Sequence, residues 1–224
     1  MKLFLDTADV REAERLGDVV DGFTSNPSMV AAAAGDVTYL EYARRMLEAT
    51  DGKSTSLEVL ADDPEMIRAQ AHELTGLGDN VVVKVPIMTS DGASLAELIA
   101  RLTEDGVKVN ATCVFTPTQA LSVCGAHIIS VFAGRASYCG NDPVTLVRNC
   151  VRSVESEPSS SILWAGVMEP GRIYDAEAVG AHITTAPAGV IDRWIKGKTL
   201  SGSAFSRETV REFFAAAQGL TWTR

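Results

Sequence analysis

Short apolar runs alternate with amphipathic stretches from one end of the chain to the other. Runs rich in Val and Ile, continuous or of period two, predict strands, whereas apolar residues recurring at three- and four-residue spacing predict helices. Eight strands are predicted, at residues 3–6, 22–25, 55–60, 81–85, 107–114, 127–132, 162–167 and 182–185. Helical patterns follow them near 9–16, 37–49, 64–74, 94–102, 117–124, 143–155, 173–179 and 187–196. Three helix starts are marked plainly. Asp63 before Pro64, Asp142 before Pro143 and Thr116 before Pro117 each put a capping side chain ahead of a proline at the first helical position. Eight strand–helix units predict an α/β fold, a single-domain (β/α)8 TIM barrel over residues 1–224; the same alternation is compatible with an open doubly wound sheet.

A ninth helical pattern at 206–218 is left over once eight units are complete, so 201–224 reads as a C-terminal helical extension. Its Val210, Phe213, Phe214 and Ala217 share one face, which must pack on its own barrel or on a neighbouring subunit. A homo-oligomer is therefore expected. The segment 157–161 reads as an ordinary loop.

Composition narrows the function classes. A length of 224 residues with 46% hydrophobic content can bury one substantial core. A formal charge of −9 argues against nucleic acid, whose phosphates are bound through clustered Lys and Arg. No run of about 18 apolar residues and no signal-peptide pattern occur, so no membrane association is expected and the protein should be soluble and cytoplasmic. The cysteines Cys113, Cys124, Cys139 and Cys150 lack paired spacing and read as reduced thiols serving as small hydrophobes. His72, His127 and His182 are far apart and form no helical metal-binding pair, so neither a metal nor a cofactor is expected.

Candidate chemistry begins with Lys84 in Val81-Val82-Val83-Lys84-Val85-Pro86. A run of this kind suits a strand buried on both faces of a parallel sheet. Burial disfavours an ammonium ion, and a free amine can attack a carbonyl; the competing reading is a strand-end lysine that snorkels to water. Other polar residues fall at the carboxyl ends of predicted strands, where a barrel builds its site. They are Asp6, Ser25 and Asn26, Glu58, Asn110 and Thr112 on one face of the fifth strand, and Ser130, Phe132 and Arg135 from the sixth. Such a constellation is either an active site or a mutually hydrogen-bonded structural network.

Five segments then fall into a familiar order: Leu5-Asp6-Thr7-Ala8-Asp9, Thr24-Ser25-Asn26-Pro27-Ser28, Val83-Lys84-Val85-Pro86, Asn110-Ala111-Thr112-Cys113-Val114-Phe115 and Ser130-Val131-Phe132-Ala133-Gly134-Arg135. Together they resemble the transaldolase family, including its short fructose-6-phosphate aldolase branch. The resemblance implies a class I aldolase on a (β/α)8 barrel acting on sugar phosphates. It implies that Lys84 is a Schiff-base lysine, that Asp6 is a general base for the C4 hydroxyl, and that Glu58 and Thr112 hold a water for proton transfer. Asn26, Asn110 and Ser130 resemble the groups that hold the dihydroxyacetone fragment, with Ser25 beside them in its motif. Glu58, Phe132 and Asn110 side with transaldolases over the aldolase branch. One departure stands out: where the family has Ala-Ser-Phe-Arg or a close variant, this chain reads Ala165-Gly166-Val167-Met168. The phosphate contacts of that Ser and Arg are lost, which leaves Arg135, with Arg172 as a substitute from the following helix, and points to altered substrates.

Overall fold

The computed structural model describes residues 1–156 and 159–222, so the predicted loop at 157–161 lies partly outside the described residues. Eight parallel strands close into one barrel in chain order: β1 (Lys2–Asp6), β2 (Gly22–Thr24), β3 (Ser54–Glu58), β4 (Val81–Pro86), β5 (Val109–Val114), β6 (Ile128–Val131), β7 (Ser161–Trp164) and β8 (Ile183–Ala186), with β8 pairing back to β1. The open-sheet alternative is excluded. Around them run α1 (Val10–Leu16), α2 (Pro27–Ala33), α3 (Tyr39–Ala49), α4 (Pro64–Thr75), α5 (Ala96–Glu104), α6 (Pro117–Ser122), α7 (Ala133–Ala136), α8 (Pro143–Ser153), α9 (Gly171–Ala178), α10 (Ala188–Thr199) and α11 (Gly202–Ala217). Among the described residues no helix is long and apolar enough to cross a membrane.

The predicted caps form. Asp63, Thr116 and Asp142 accept hydrogen bonds from the amides of Met66, Gln119 and Thr145. Asn26 caps α2 in the same way, with Pro27 at its start, yet α2 escaped prediction. Seven residues of Pro-Ser-Met-Val-Ala-Ala-Ala carry too little amphipathic contrast to show a helical period. The four residues of α7 are shorter still. Strand ends were overextended at 59–60, 107–108 and 165–167, because apolar loop residues continue the strand pattern after the ladder ends.

Strand alternation stacks the barrel interior in layers contributed by alternate strands. Gly22, Val82, Ile128 and Ile183 form one layer, with Phe4, Ser56, Asn110 and Leu163 above it. Next come Thr24, Lys84, Ser130 and Thr185, and the top is Asp6, Glu58, Thr112 and Ala165. Apolar packing inside is confined to a small cluster around Phe4, Val82, Ile128, Leu163 and Ile183, whereas the main core lies between strands and helices. The polar groups are thus concentrated in the upper layers.

One expectation needs correction. Cys150 is buried as a small hydrophobe and Cys113 partly so, but Cys124, on a turn, and Cys139, at the end of a short 3-10 helix, are exposed because they lie outside the core. All four thiols are free. No residue of α11 is buried: an ion pair between Lys196 and Glu208 ties it to α10, while Val210, Phe213 and Phe214 face outward.

Candidate active site

A cavity of about 330 Å3 opens at the carboxyl ends of the strands. A larger hollow, about 820 Å3, lies on the flank between α1 and α3; it contains no lysine and stands apart from the barrel mouth. Into the smaller cavity project Asp6, Asn26, Glu58, Lys84, Thr112, Ser130, Phe132 and Arg135, eight of the residues singled out from sequence. Thr24, Thr185, Cys113 and Gly166 also line it, and the sequence reading missed them as site residues.

Lys84 is only 5% exposed, and its Nζ lies 2.8 Å from Glu58 Oε2 and 2.6 Å from the carbonyl oxygen of Ser25. β3 and β4 fix this pair, since Glu58 and Lys84 are register partners whose side chains both turn inward. The snorkelling alternative fails, because the amine meets protein partners and stays away from water. Tyr39 donates to the Glu58 carbonyl at 2.7 Å, anchoring the end of β3. Across the cavity, Asp6 Oδ1 accepts from the Thr24 hydroxyl at 2.7 Å, and Thr24 in turn meets the Thr185 hydroxyl at 2.7 Å. Burial pushes the Asp6 carboxyl above its ordinary range, and the Thr24 hydrogen bond and the charge of Lys84 pull it partly back.

Asn110 lies one layer lower than expected for a lining residue. It accepts from the Ser130 hydroxyl at 2.7 Å and donates to Ser56 Oγ at 3.1 Å, so it orients Ser130 from beneath the cavity. Ser25 likewise acts through its backbone, as the acceptor for Lys84, and its side chain does not line the cavity. Asn26 uses Oδ1 to cap α2, which leaves its amide nitrogen as the donor available to the cavity.

Thr112 Oγ1 is fully buried with no partner among the described residues. The ladder between β5 and β6 shifts register between Ala111 and Val114, and Cys113 takes φ +63°. This bulge interrupts alternation, so the consecutive residues Thr112 and Cys113 both reach the cavity. Nothing in the sequence announces the bulge.

At the far wall Arg135 stands over the Phe132 ring, 5.9 Å from its centroid, and Phe132 packs on Phe115. Arg135 makes no ion pair among the described residues. Arg172 lines an adjoining cavity of about 220 Å3 with Met168, which shares Gly166 with the first, and its guanidinium is bound to Asp175 at 2.9 Å. The reason is local backbone geometry. Gly166 has φ +77°, and a Cβ on Gly134 would collide with its carbonyl oxygen, so the loop after β7 lies flat against α7 and residue 168 faces the second cavity.

With this geometry established, similarity to known proteins is informative. The chain is 35% identical over 202 residues to a probable transaldolase of Thermoanaerobacter sp. (strain X514), covering 88% of this chain and 90% of the relative. It is 36% identical over 207 residues to one of Chlorobium phaeobacteroides (strain BS1), covering 88% and 91%. It is 34% identical over 203 residues to one of Nitrosopumilus maritimus (strain SCM1), covering 88% of each. Residues 3–222 match the pattern of a single family, and the chain belongs to it: the Transaldolase/Fructose-6-phosphate aldolase family.

Proposed function

We propose that the protein is a transaldolase that moves a three-carbon dihydroxyacetone unit from a ketose phosphate to an aldose acceptor through a Schiff base on Lys84. The observation that carries this reading is the buried amine of Lys84 held 2.8 Å from Glu58 in a cavity that also presents Asp6. An attacking amine must first shed a proton, and Glu58 is in contact to take it. Attack on the C2 ketone gives a carbinolamine, and loss of water gives the iminium. A water held by Glu58 and the unpartnered Thr112 hydroxyl relays the protons.

Asp6, ionised, then takes the C4 hydroxyl proton. The C3–C4 bond breaks, its electrons pass into the iminium to form an enamine, and the aldose leaves. Burial that raises the Asp6 carboxyl makes it a stronger base than a free carboxylate, as a proton shuttle requires. Ser130, oriented by Asn110, and Asn26 hold the enamine hydroxyls until an acceptor arrives. Reversal of these steps onto the new aldehyde completes the transfer. Arg135 holds the substrate phosphate, and the Ser and Arg that the family carries after β7 have no counterpart in this cavity. That loss favours substrates altered at the phosphate end.

Borohydride reduction in the presence of fructose 6-phosphate, followed by peptide mapping, tests the mechanism; an adduct on any lysine other than Lys84 overturns it. Turnover that needs no acceptor aldose would favour the fructose-6-phosphate aldolase reading. The outward apolar face of α11 is read as a self-association surface. Phe213→Asp with Phe214→Asp should convert an oligomer to a monomer in sedimentation, and a wild-type monomer at micromolar concentration would rule that out.

A further inference from the structure

The barrel has a second mouth at the amino ends of its strands. The alternation that turns Asp6, Glu58 and Thr112 inward above also gives Lys2, Ser54, Lys108 and Ser161 the inward parity below, and of these Ser54 and Lys108 line a cavity. Lys108 continues the β5 pattern one residue before the strand, and its carbonyl accepts from the Val83 amide at 2.8 Å. Here lies a cavity of about 430 Å3, bounded by Ser54, Asp79, Asn80, Lys108 and His127 and closed on the inside by Val82. It shares no lining residue with the candidate active site.

Among the described residues, Lys2 and Lys108 face the single carboxylate of Asp79 at this mouth. Lys2, Lys108 and His127 make no ion pair among the described residues, and the Lys108 amine reaches only the Asp79 carbonyl, at 2.6 Å. Burial, then Lys108, then Lys2 hold the His127 imidazole below its ordinary range, so both amines bear on it. Neighbouring groups are otherwise occupied. Lys53 donates to the carbonyls of Gly17 and Val20, Asp21 accepts from the Leu3 amide on the outer side of β1, and His182 Nδ1 accepts from the Ile162 amide. Among the described residues Asp79 supplies the one carboxylate on the cavity wall.

We propose that this amino-terminal mouth is a binding site for a small dianion of the phosphate or phosphate-ester class. Lys108 supplies charge from the cavity wall and Lys2 from close enough to act on His127, and Ser54 and protonated His127 supply further donors. Two ammonium groups without a carboxylate partner that both act on His127 repel one another, and a dianion converts that repulsion into two attractions.

Proton NMR titration of the histidines, with His127 assigned by its loss in His127→Gln, tests the proposal. Inorganic phosphate and sulfate should each raise the His127 midpoint by about half a pH unit more than sodium chloride of equal ionic strength. Lys108→Met and Lys2→Met, both surface changes, should remove that excess. Arg135→Ala should leave it intact, because Arg135 belongs to the other cavity. An equal shift in chloride, an excess that survives in both lysine variants, or an excess lost in Arg135→Ala would overturn the site.

Discussion

The two mouths of this barrel present lysines by the same device, inward alternation along parallel strands, and differ in what surrounds them. At the carboxyl end Lys84 is 5% exposed, touches Glu58 and a carbonyl, and stands in a site whose Thr24, Thr185 and Ser130 hydroxyls are hydrogen-bonded. At the amino end Lys2 and Lys108 are exposed and have no carboxylate partner among the described residues. The difference arises in the connections. Above, α2, α7 and the loop carrying Gly166 close over the strand ends, whereas below, the turns that enter the strands leave the cavity open. A buried amine with a proton acceptor is equipped for covalent chemistry, and an exposed amine in a wet cavity can contribute only charge.

Substitutions sharpen this contrast, beginning with the largest effect. Lys84→Met should abolish turnover and the borohydride-stable adduct together. It also strands Glu58 without its partner, so urea unfolding near neutral pH should show a loss of about 3 kcal/mol. Unchanged stability would mean that Glu58 finds another partner or a proton.

Asp6→Asn should keep adduct formation and slow carbon–carbon cleavage by about 10²-fold or more. Equal loss of both steps would make Asp6 an orienting group for Lys84. Its raised carboxyl has a second consequence. The native state holds this proton more tightly than the unfolded chain, so stability contributed by Asp6 falls as pH rises from the ordinary value of 3.8 through the raised native value. Asp6→Asn should flatten that part of the stability profile, and a profile identical to wild type would contradict the burial argument.

Arg135→Ala should raise KM for phosphorylated substrates by roughly 10- to 100-fold, the worth of a charge-assisted contact, with a smaller change in kcat. Met168→Arg should not restore a phosphate contact, because position 168 faces the neighbouring cavity. A lowered KM in that variant would show that the loop after β7 rearranges. The smallest effect belongs to the lower mouth: Lys108→Met should leave kcat/KM for the transfer reaction within about twofold, since no distance-independent route links it to Lys84 and its charge is screened by solvent.

Much of this architecture was readable from periodicity and caps alone. The eight strands and the helix starts at Pro64, Pro117 and Pro143 follow from local chemistry, because a capping side chain and a proline act within a few residues of themselves, whereas closure of the sheet had to await the structure. The upper site was legible because its polar residues interrupt apolar strand runs at the same end. What stayed hidden depended on contacts between distant segments. The bulge that brings Cys113 beside Thr112 arises from pairing with β6, and the role of Asn110 beneath Ser130 needs the barrel's layering. The placement of Arg172 was hidden for the same reason: four positions along the chain from Met168 said nothing of the close approach between Gly134 and Gly166 or of the adjoining cavity that both residues line. The sequence by itself determined which residues could carry charge, protons or a covalent bond, and which strands would hold them. Only the closed barrel decided which of those groups meet, because distance and burial are set by packing between segments far apart in the chain.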